Sequence, residues 1–113
     1  ALLLATANIN ASTTVYNATG ELAATGNYAA GGVTFTWIAP SLTGATAFTT
    51  PSTAFSWTNL TSSGAFDCVL LYNSTQGNKA VASYTFGAQS VTAGNFSLTM
   101  PVNDSSTGLL RIA

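Results

Sequence analysis

Phe55-Ser56-Trp57-Thr58-Asn59-Leu60 alternates large apolar and small polar residues, and this period of two decides the fold class. Upstream, Val33-Thr34-Phe35-Thr36-Trp37-Ile38 does the same and stops before Pro40. Downstream, Ser83-Tyr84-Thr85-Phe86 and Phe96-Ser97-Leu98-Thr99-Met100 repeat the pattern, the second ended by Pro101. Such alternation suits antiparallel strands with one face on a core and the other in water. Threonine suits the wet face because its branched Cβ favours extended backbone. On this reading Trp37, Trp57, Phe86, Phe96 and Leu98 occupy the apolar phase and are largely buried.

Two runs are apolar in both phases: Asp67-Cys68-Val69-Leu70-Leu71-Tyr72 and Gly108-Leu109-Leu110-Arg111-Ile112-Ala113. They read as strands covered on both sides, either as central strands or with one face against another subunit. Ala1-Leu2-Leu3-Leu4-Ala5-Thr6 also reads as a strand. Its apolar run is far shorter than the roughly 20 residues of a membrane-spanning helix. It lacks the basic start and longer apolar stretch of a signal peptide. With no initial methionine, the N-terminus is read as processed or incomplete.

Turn chemistry separates the strands. Asn73-Ser74-Thr75-Gln76-Gly77-Asn78 reads as a hairpin loop, Thr92-Ala93-Gly94-Asn95 and Asp104-Ser105-Ser106-Thr107-Gly108 as turns. Residues 17–32 read as a long surface loop with a short strand near Tyr28, and residues 41–46 as another loop. No stretch settles into helical spacing. The expectation is one domain over residues 1–113, an antiparallel β-sandwich of jelly-roll-like or Ig-like type.

Glu21, Asp67, Lys79, Asp104 and Arg111 are the only acidic and basic side chains, and there is no histidine. Proton-transfer chemistry near neutral pH needs a donor–acceptor group and usually a second beside it. Five scattered charges do not make such a site, nor a basic surface for nucleic acid. Composition therefore points away from an enzyme and toward a protein that holds, covers or binds. Nineteen Thr, twelve Ser and nine Asn supply the polar surface.

Each candidate site has a plainer structural reading. Asp67 and Asp104 form an acid pair only if the fold joins them. Asp67 starts a strand, and Asp104 is read as an Asx-type turn residue. Asn103 and Asp104 with turn carbonyls would give a weak calcium site at best. Lys79 and Arg111 read as solvated strand residues. Cys68, the only cysteine, reads as a buried thiol without a histidine to activate it. Trp37, Trp57, Tyr28, Tyr72 and Tyr84 could line a sugar platform, but the tryptophans are more simply core residues. Asn-x-Ser/Thr sequons begin at Asn10, Asn17, Asn59, Asn73, Asn95 and Asn103. No catalytic, cofactor or metal residue is assigned.

The second half has a distinct cadence. It runs Gly64-Ala65-Phe66-Asp67-Cys68-Val69-Leu70-Leu71-Tyr72-Asn73-Ser74-Thr75, then Asn78-Lys79-Ala80-Val81-Ala82 and Phe86-Gly87. Gly94-Asn95-Phe96-Ser97-Leu98-Thr99-Met100-Pro101 and Leu109-Leu110-Arg111-Ile112-Ala113 follow. Asn10-Ala11-Ser12-Thr13-Thr14-Val15-Tyr16, Glu21-Leu22 and Gly26-Asn27-Tyr28-Ala29-Ala30-Gly31-Gly32-Val33-Thr34 precede it. This order resembles a family of small all-β virion proteins of tailed bacteriophages. The resemblance implies a structural role without catalytic residues, an additional strand and loop ahead of Leu2, and a place in the virion. It leads to the expectation of a capsid decoration or cement protein. Such a protein would bind the major capsid protein or other virion proteins, as a homo-oligomer, without nucleic acid or membrane. The alternatives are a tail or fibre component, or a carbohydrate-binding module for host glycans. Loops 8–32 and 41–53 and the strand-face aromatics are the expected contact regions.

Overall fold

The structure, a computed structural model, describes residues 2–4 and 9–113. Ala1, Ala5 and Thr6 of the predicted first strand, and Asn8 of the predicted contact loop, lie outside the described residues. Among the described residues eight strands follow in chain order: β1 (Leu2–Leu4), β2 (Ser41–Thr43), β3 (Thr46–Thr49), β4 (Phe55–Leu60), β5 (Phe66–Asn73), β6 (Lys79–Gln89), β7 (Gly94–Leu98) and β8 (Leu110–Ile112). Among the described residues the only helical element is a 3-10 turn, Ser74–Gln76. The chain is all-β, as its period of two requires, and pairings β1–β5, β5–β6, β2–β3 and β3–β8 are antiparallel. The sheets run β1-β5-β6 and β2-β3-β8, and β4 pairs with β7.

The described residues divide into two compact units. The segment up to Gly32 joins Trp57–Asn95, and Val33–Ser56 joins Phe96–Ala113. In the first, β5 is the central strand, and Cys68, Val69, Leu70 and Leu71 are all buried. Alternate residues point to opposite faces, so both faces of β5 are covered, as its doubly apolar run predicts. Ile9, Tyr16 and Ala80 pack against Cys68 and Leu70. Phe66 is fully buried and meets Phe86 edge-on at 6.1 Å.

Strand β6 ends this sheet, and its burial alternates along Ala80, Ala82, Tyr84 and Phe86. Beyond Lys79 at its start, this edge is managed without charge. Residues 14–16 lie along its start, with Tyr16 N–H donating to the Asn78 carbonyl (2.8 Å) and Ala80 N–H to the Thr14 carbonyl (2.9 Å). Register shifts opposite Leu71/Tyr72 and Phe66/Cys68 put extra residues into β6 and bend it. The β5–β6 loop closes as predicted. Asn73 Oδ1 accepts the Thr75 N–H, and Gly77 takes a left-handed conformation at φ 67°.

In the second unit, residues 41–46 are not the loop expected from sequence. They form the end of a hairpin in which Thr43 faces Thr46 across Gly44-Ala45. Gly44 has φ 60°, a conformation in which a side chain is strained and which a two-residue hairpin turn demands. Three residues on each side are too few to show a period. Phe48, Thr49, Thr50, Pro51 and Phe55 are buried here. Thr50 Oγ1 accepts the Leu109 N–H at 3.0 Å.

Residues 33–38, predicted as a strand, make only an isolated bridge between Trp37 and Pro51. The ladder starts: Ile38 N–H donates to the Thr50 carbonyl and Ser52 N–H to the Thr36 carbonyl. One hydroxyl then takes a carbonyl that a longer ladder would use: Thr49 Oγ1 donates to the Ile38 carbonyl at 2.6 Å. Ser52 Oγ adds a second bond, at 3.2 Å, to the Thr36 carbonyl that its own N–H already reaches. No strand forms near Tyr28 either; that ring is buried from within a turn.

Of the five residues expected in the core, Trp57 is buried, whereas Trp37, Phe86, Phe96 and Leu98 are half-buried. Phe86 sits on an end strand, Phe96 and Leu98 on a two-stranded ribbon, and Trp37 outside any strand. Strand β8 likewise departs from expectation. It is an end strand of three residues, and Ile112 is 69% exposed.

These placements rank the side chains by their contribution to stability. Phe66→Ala should cost about 3–5 kcal/mol in chemical denaturation, the range for emptying a buried aromatic site. Leu42→Ala, at a side chain that is 71% exposed, should stay within about 0.5 kcal/mol of the parent. Equal losses at the two positions would refute this core assignment.

Candidate functional site

The densest polar cluster lies in the first unit, around a carboxylate that sequence reading left among scattered charges. Glu21 is buried to 8% exposure. Its Oε2 accepts the Tyr16 hydroxyl at 2.5 Å, and its Oε1 accepts the Tyr28 hydroxyl at 2.6 Å and the Gly31 N–H at 2.7 Å. Tyr72 closes the group from β5. Its hydroxyl donates to the Gly31 carbonyl at 2.9 Å, and its ring stacks on Tyr16 at 4.4 Å and 13°.

Local chain chemistry sets each member in place. Tyr16 is held by its bond to Asn78, beside the Val15–Lys79 bridge. Asn17 Oδ1 accepts the Thr19 N–H (2.8 Å), and Glu21 N–H donates to Ala18, which turns the chain inward. Gly31 has φ 88°, and a Cβ there would lie 3.0 Å from the Tyr72 hydroxyl. Only glycine brings this backbone between Glu21 and Tyr72 without strain.

The cluster's chemistry is that of a staple. A carboxylate is an acceptor-only group, and here both oxygens already receive donors from the chain. Burial, followed by the hydrogen bond to Glu21 and its charge, pushes the Tyr16 hydroxyl well above the ordinary tyrosine value. Burial, then the charge of Glu21, raises Tyr72, and burial raises Tyr84. These shifts favour the neutral phenol, the form that donates.

The residues singled out from sequence fall elsewhere. Asp67 belongs to the first unit and Asp104 to the second. Asp104 is a turn residue, as predicted: its Oδ1 accepts Ser106 N–H and Thr107 N–H, each at 2.7 Å. The bonds from Thr107 and then Ser106 hold its carboxyl below the usual range. Arg111 donates to the Ser106 carbonyl in the same turn. Asp104 Oδ1 is thus engaged beside the Arg111 guanidinium, while Asn103 Oδ1 is buried without a hydrogen-bond partner among the described residues. No group of three metal-ligating side chains occurs among the described residues. Cys68 is buried, and burial followed by the charge of Asp67 pushes its thiol up, away from reactivity. Lys79 is exposed.

The sequons acquire a structural explanation. Asn10, Asn17 and Asn73 each accept the N–H of the Ser or Thr two residues on. That is the Asx turn, for which Asn-x-Ser/Thr spacing is well suited. Asn95 Oδ1 accepts the Asn59 N–H at 3.1 Å.

Of the five aromatic residues named for a sugar platform, Tyr28 and Trp57 are buried and Trp37, Tyr72 and Tyr84 are half-buried. All twelve aromatic side chains are buried or half-buried. Tyr28 lies 6.4 Å from Trp57, both in the core. The chain matches no protein-family model, no curated protein and no solved structure.

Two measurements test the staple. Glu21→Gln replaces one acceptor oxygen by an NH2 donor facing groups that donate, and should cost about 1–3 kcal/mol of stability; a neutral effect would contradict the network. With Tyr16, Tyr72 and Tyr84 raised in the fold, their stabilisation is whole below the ordinary tyrosine value of 10.0 and is lost as pH rises above it. Tyrosinate absorbance from these residues should therefore appear together with alkaline unfolding. Ionisation at pH 10 with the fold intact would contradict the raised values.

Proposed function

We propose that this chain is a non-enzymatic structural protein of a tailed-phage virion, a decoration or cement protein bound to the major capsid protein. The order of its sequence elements supports the virion setting. The observation that carries the binding role is the kind of apolar surface the chain exposes. Val15, Val33, Ile38, Leu42, Val81, Val102 and Ile112 are exposed, and all are aliphatic. Aliphatic side chains suit close-packed protein contact, whereas sugar stacking needs open aromatic faces. Much of the remaining surface is Ser, Thr, Asn and Ala, and of the five charged side chains Glu21 is buried.

Magnitudes favour the same mode of attachment. An exposed ion pair is worth about 0–1 kcal/mol, and full burial of one Val, Leu or Ile about 1.5–3 kcal/mol before association costs. The Glu21 carboxylate has its oxygens engaged within the chain, which supports a structural rather than a catalytic role. A tail or fibre position would use the same surface and differs in copy number.

Antibody raised against the protein and applied to purified phage particles should label the capsid shell at many sites. Label confined to the tail would move the assignment there, and unlabelled particles lacking the protein by mass spectrometry would refute it. Bound protein should also remain on particles as salt rises from about 0.1 M to 1 M, where the Debye length falls from about 10 to 3 Å. Progressive release over that range would show that charge governs attachment.

A further inference from the structure

We infer that strand β2 pairs antiparallel with its counterpart in a second copy of this chain, forming a two-fold dimer. Leu42 is the most exposed of the large hydrophobic side chains described, at 71%. It stands on an outer strand of the sheet β2-β3-β8, opposite Ala47, which in turn stands opposite Ile112. Directly opposed residues share a face, so Leu42, Ala47 and Ile112 form one apolar row. Phe48, on the other face with Ser41 and Arg111, is buried. The row therefore ends at an open strand edge with its side chains in water.

Backbone geometry fits this edge for pairing. Thr43 and Thr46 close the two-residue turn, so the alternation of an antiparallel ladder directs the Leu42 N–H and C=O away from β3. With a two-fold axis at Leu42, each Leu42 exchanges both backbone bonds with its copy. Ser41 then faces Thr43 of the other copy, a hydroxyl pair that sheets favour. Nothing lies within 4 Å of the Cβ position at Gly44, so the turn leaves the approach open.

Charge sets β2 apart from β8 and permits this occupant. Strand β2 has no ionisable side chain, so two copies meet without repulsion. The same operation on β8 would set Arg111 against its own copy, and directly opposed like charges destabilise a sheet. Strand β6 is covered at its start by residues 14–16 and carries register shifts. A β2 dimer would extend the order to six strands and join two apolar rows at Leu42.

The inference concerns the isolated protein and is independent of the virion assignment; a monomer could still coat particles. Sedimentation of the full chain at micromolar concentrations should give twice the 11.4 kDa chain mass. Leu42→Arg, at an exposed position that folding tolerates, should raise the dissociation constant about tenfold or more. Leu42→Cys oxidised with glutathione disulfide should give a covalent dimer, because hydrogen-bonded antiparallel partners lie about 5.5 Å apart at Cα, within disulfide reach. Ile112→Cys should not, since five strand spacings of about 4.8 Å separate the two copies of that residue. A monomer mass throughout with no Leu42→Cys crosslink overturns the inference. So does a dimer indifferent to Leu42→Arg, or crosslinking through Ile112→Cys instead.

Discussion

A chain with five charged side chains must satisfy its irregular backbone with neutral groups, and the rest of the structure depends on how it does so. Hydroxyls and amides carry that work over long sequence distances. Ser63 Oγ accepts the Ala23 N–H, Thr61 Oγ1 the Ala93 N–H, and Ser62 Oγ the Val91 N–H. Asn27 Nδ2 donates to the Thr58 carbonyl, and Thr25 Oγ1 to that of Thr61. Each bond is modest, roughly 0.5–1.5 kcal/mol net, but an orphaned buried group costs about 1–3 kcal/mol. The same hydroxyls that rescue loops also compete with ladders. Thr49 does so at the Ile38 carbonyl, and the predicted strand shrinks to a bridge.

Glu21 is the exception that shows the rule. It is a buried charged residue, yet its three recorded partners are neutral: two phenols and a peptide N–H. A carboxylate fits because it accepts at both oxygens, whereas an amide would present one donor to a site that offers only donors. The group ties residues 16, 28 and 31 together, and Tyr72 ties them to β5. A long loop without strands is thereby held at one interior point, which explains how Leu22 and Tyr28 are buried from irregular backbone. Hydrogen bonds to a charged group are the stronger kind, at about 1.5–3 kcal/mol, so one acid here organises more chain than several hydroxyls would.

What was legible in the sequence follows from the range of each signal. Period two identified β4 at its observed limits, and doubly apolar composition identified β5 as central. Turn residues placed the Asn73 and Asp104 turns, because an Asx bond reaches only two or three residues. Strand β2 escaped that reading, since three residues give no period; β8 was read as a strand but as one covered on both sides, whereas it is an end strand with Ile112 exposed. The Glu21 cluster escaped for another reason. Tyr16, Glu21 and Tyr28 are near in sequence, but their convergence needs the loop path through Gly31 and the arrival of Tyr72 from 41 residues away. A lone acid between tyrosines in a glycine-bearing, otherwise uncharged stretch was the available signal. The proposed virion role rests on resemblance and has no local physical signature, since neutral all-β surfaces serve many assemblies.

Scarce charge also changes how strand edges are guarded. Proteins commonly place lysine or an inward charge on an edge to forbid pairing. Here Lys79 marks only the beginning of β6; the covering segment 14–16 and the register shifts protect the rest. Brevity limits β2 and β8, and Arg111 adds a charge to β8. Strand β2 alone combines a regular register, no charge and a projecting Leu42. An edge guarded only by its length is left open to a second copy of itself. The composition that withholds a guarding charge from β2 also withholds ion pairs from the inferred contact, which therefore rests on backbone bonds and Leu42 and is little affected by salt.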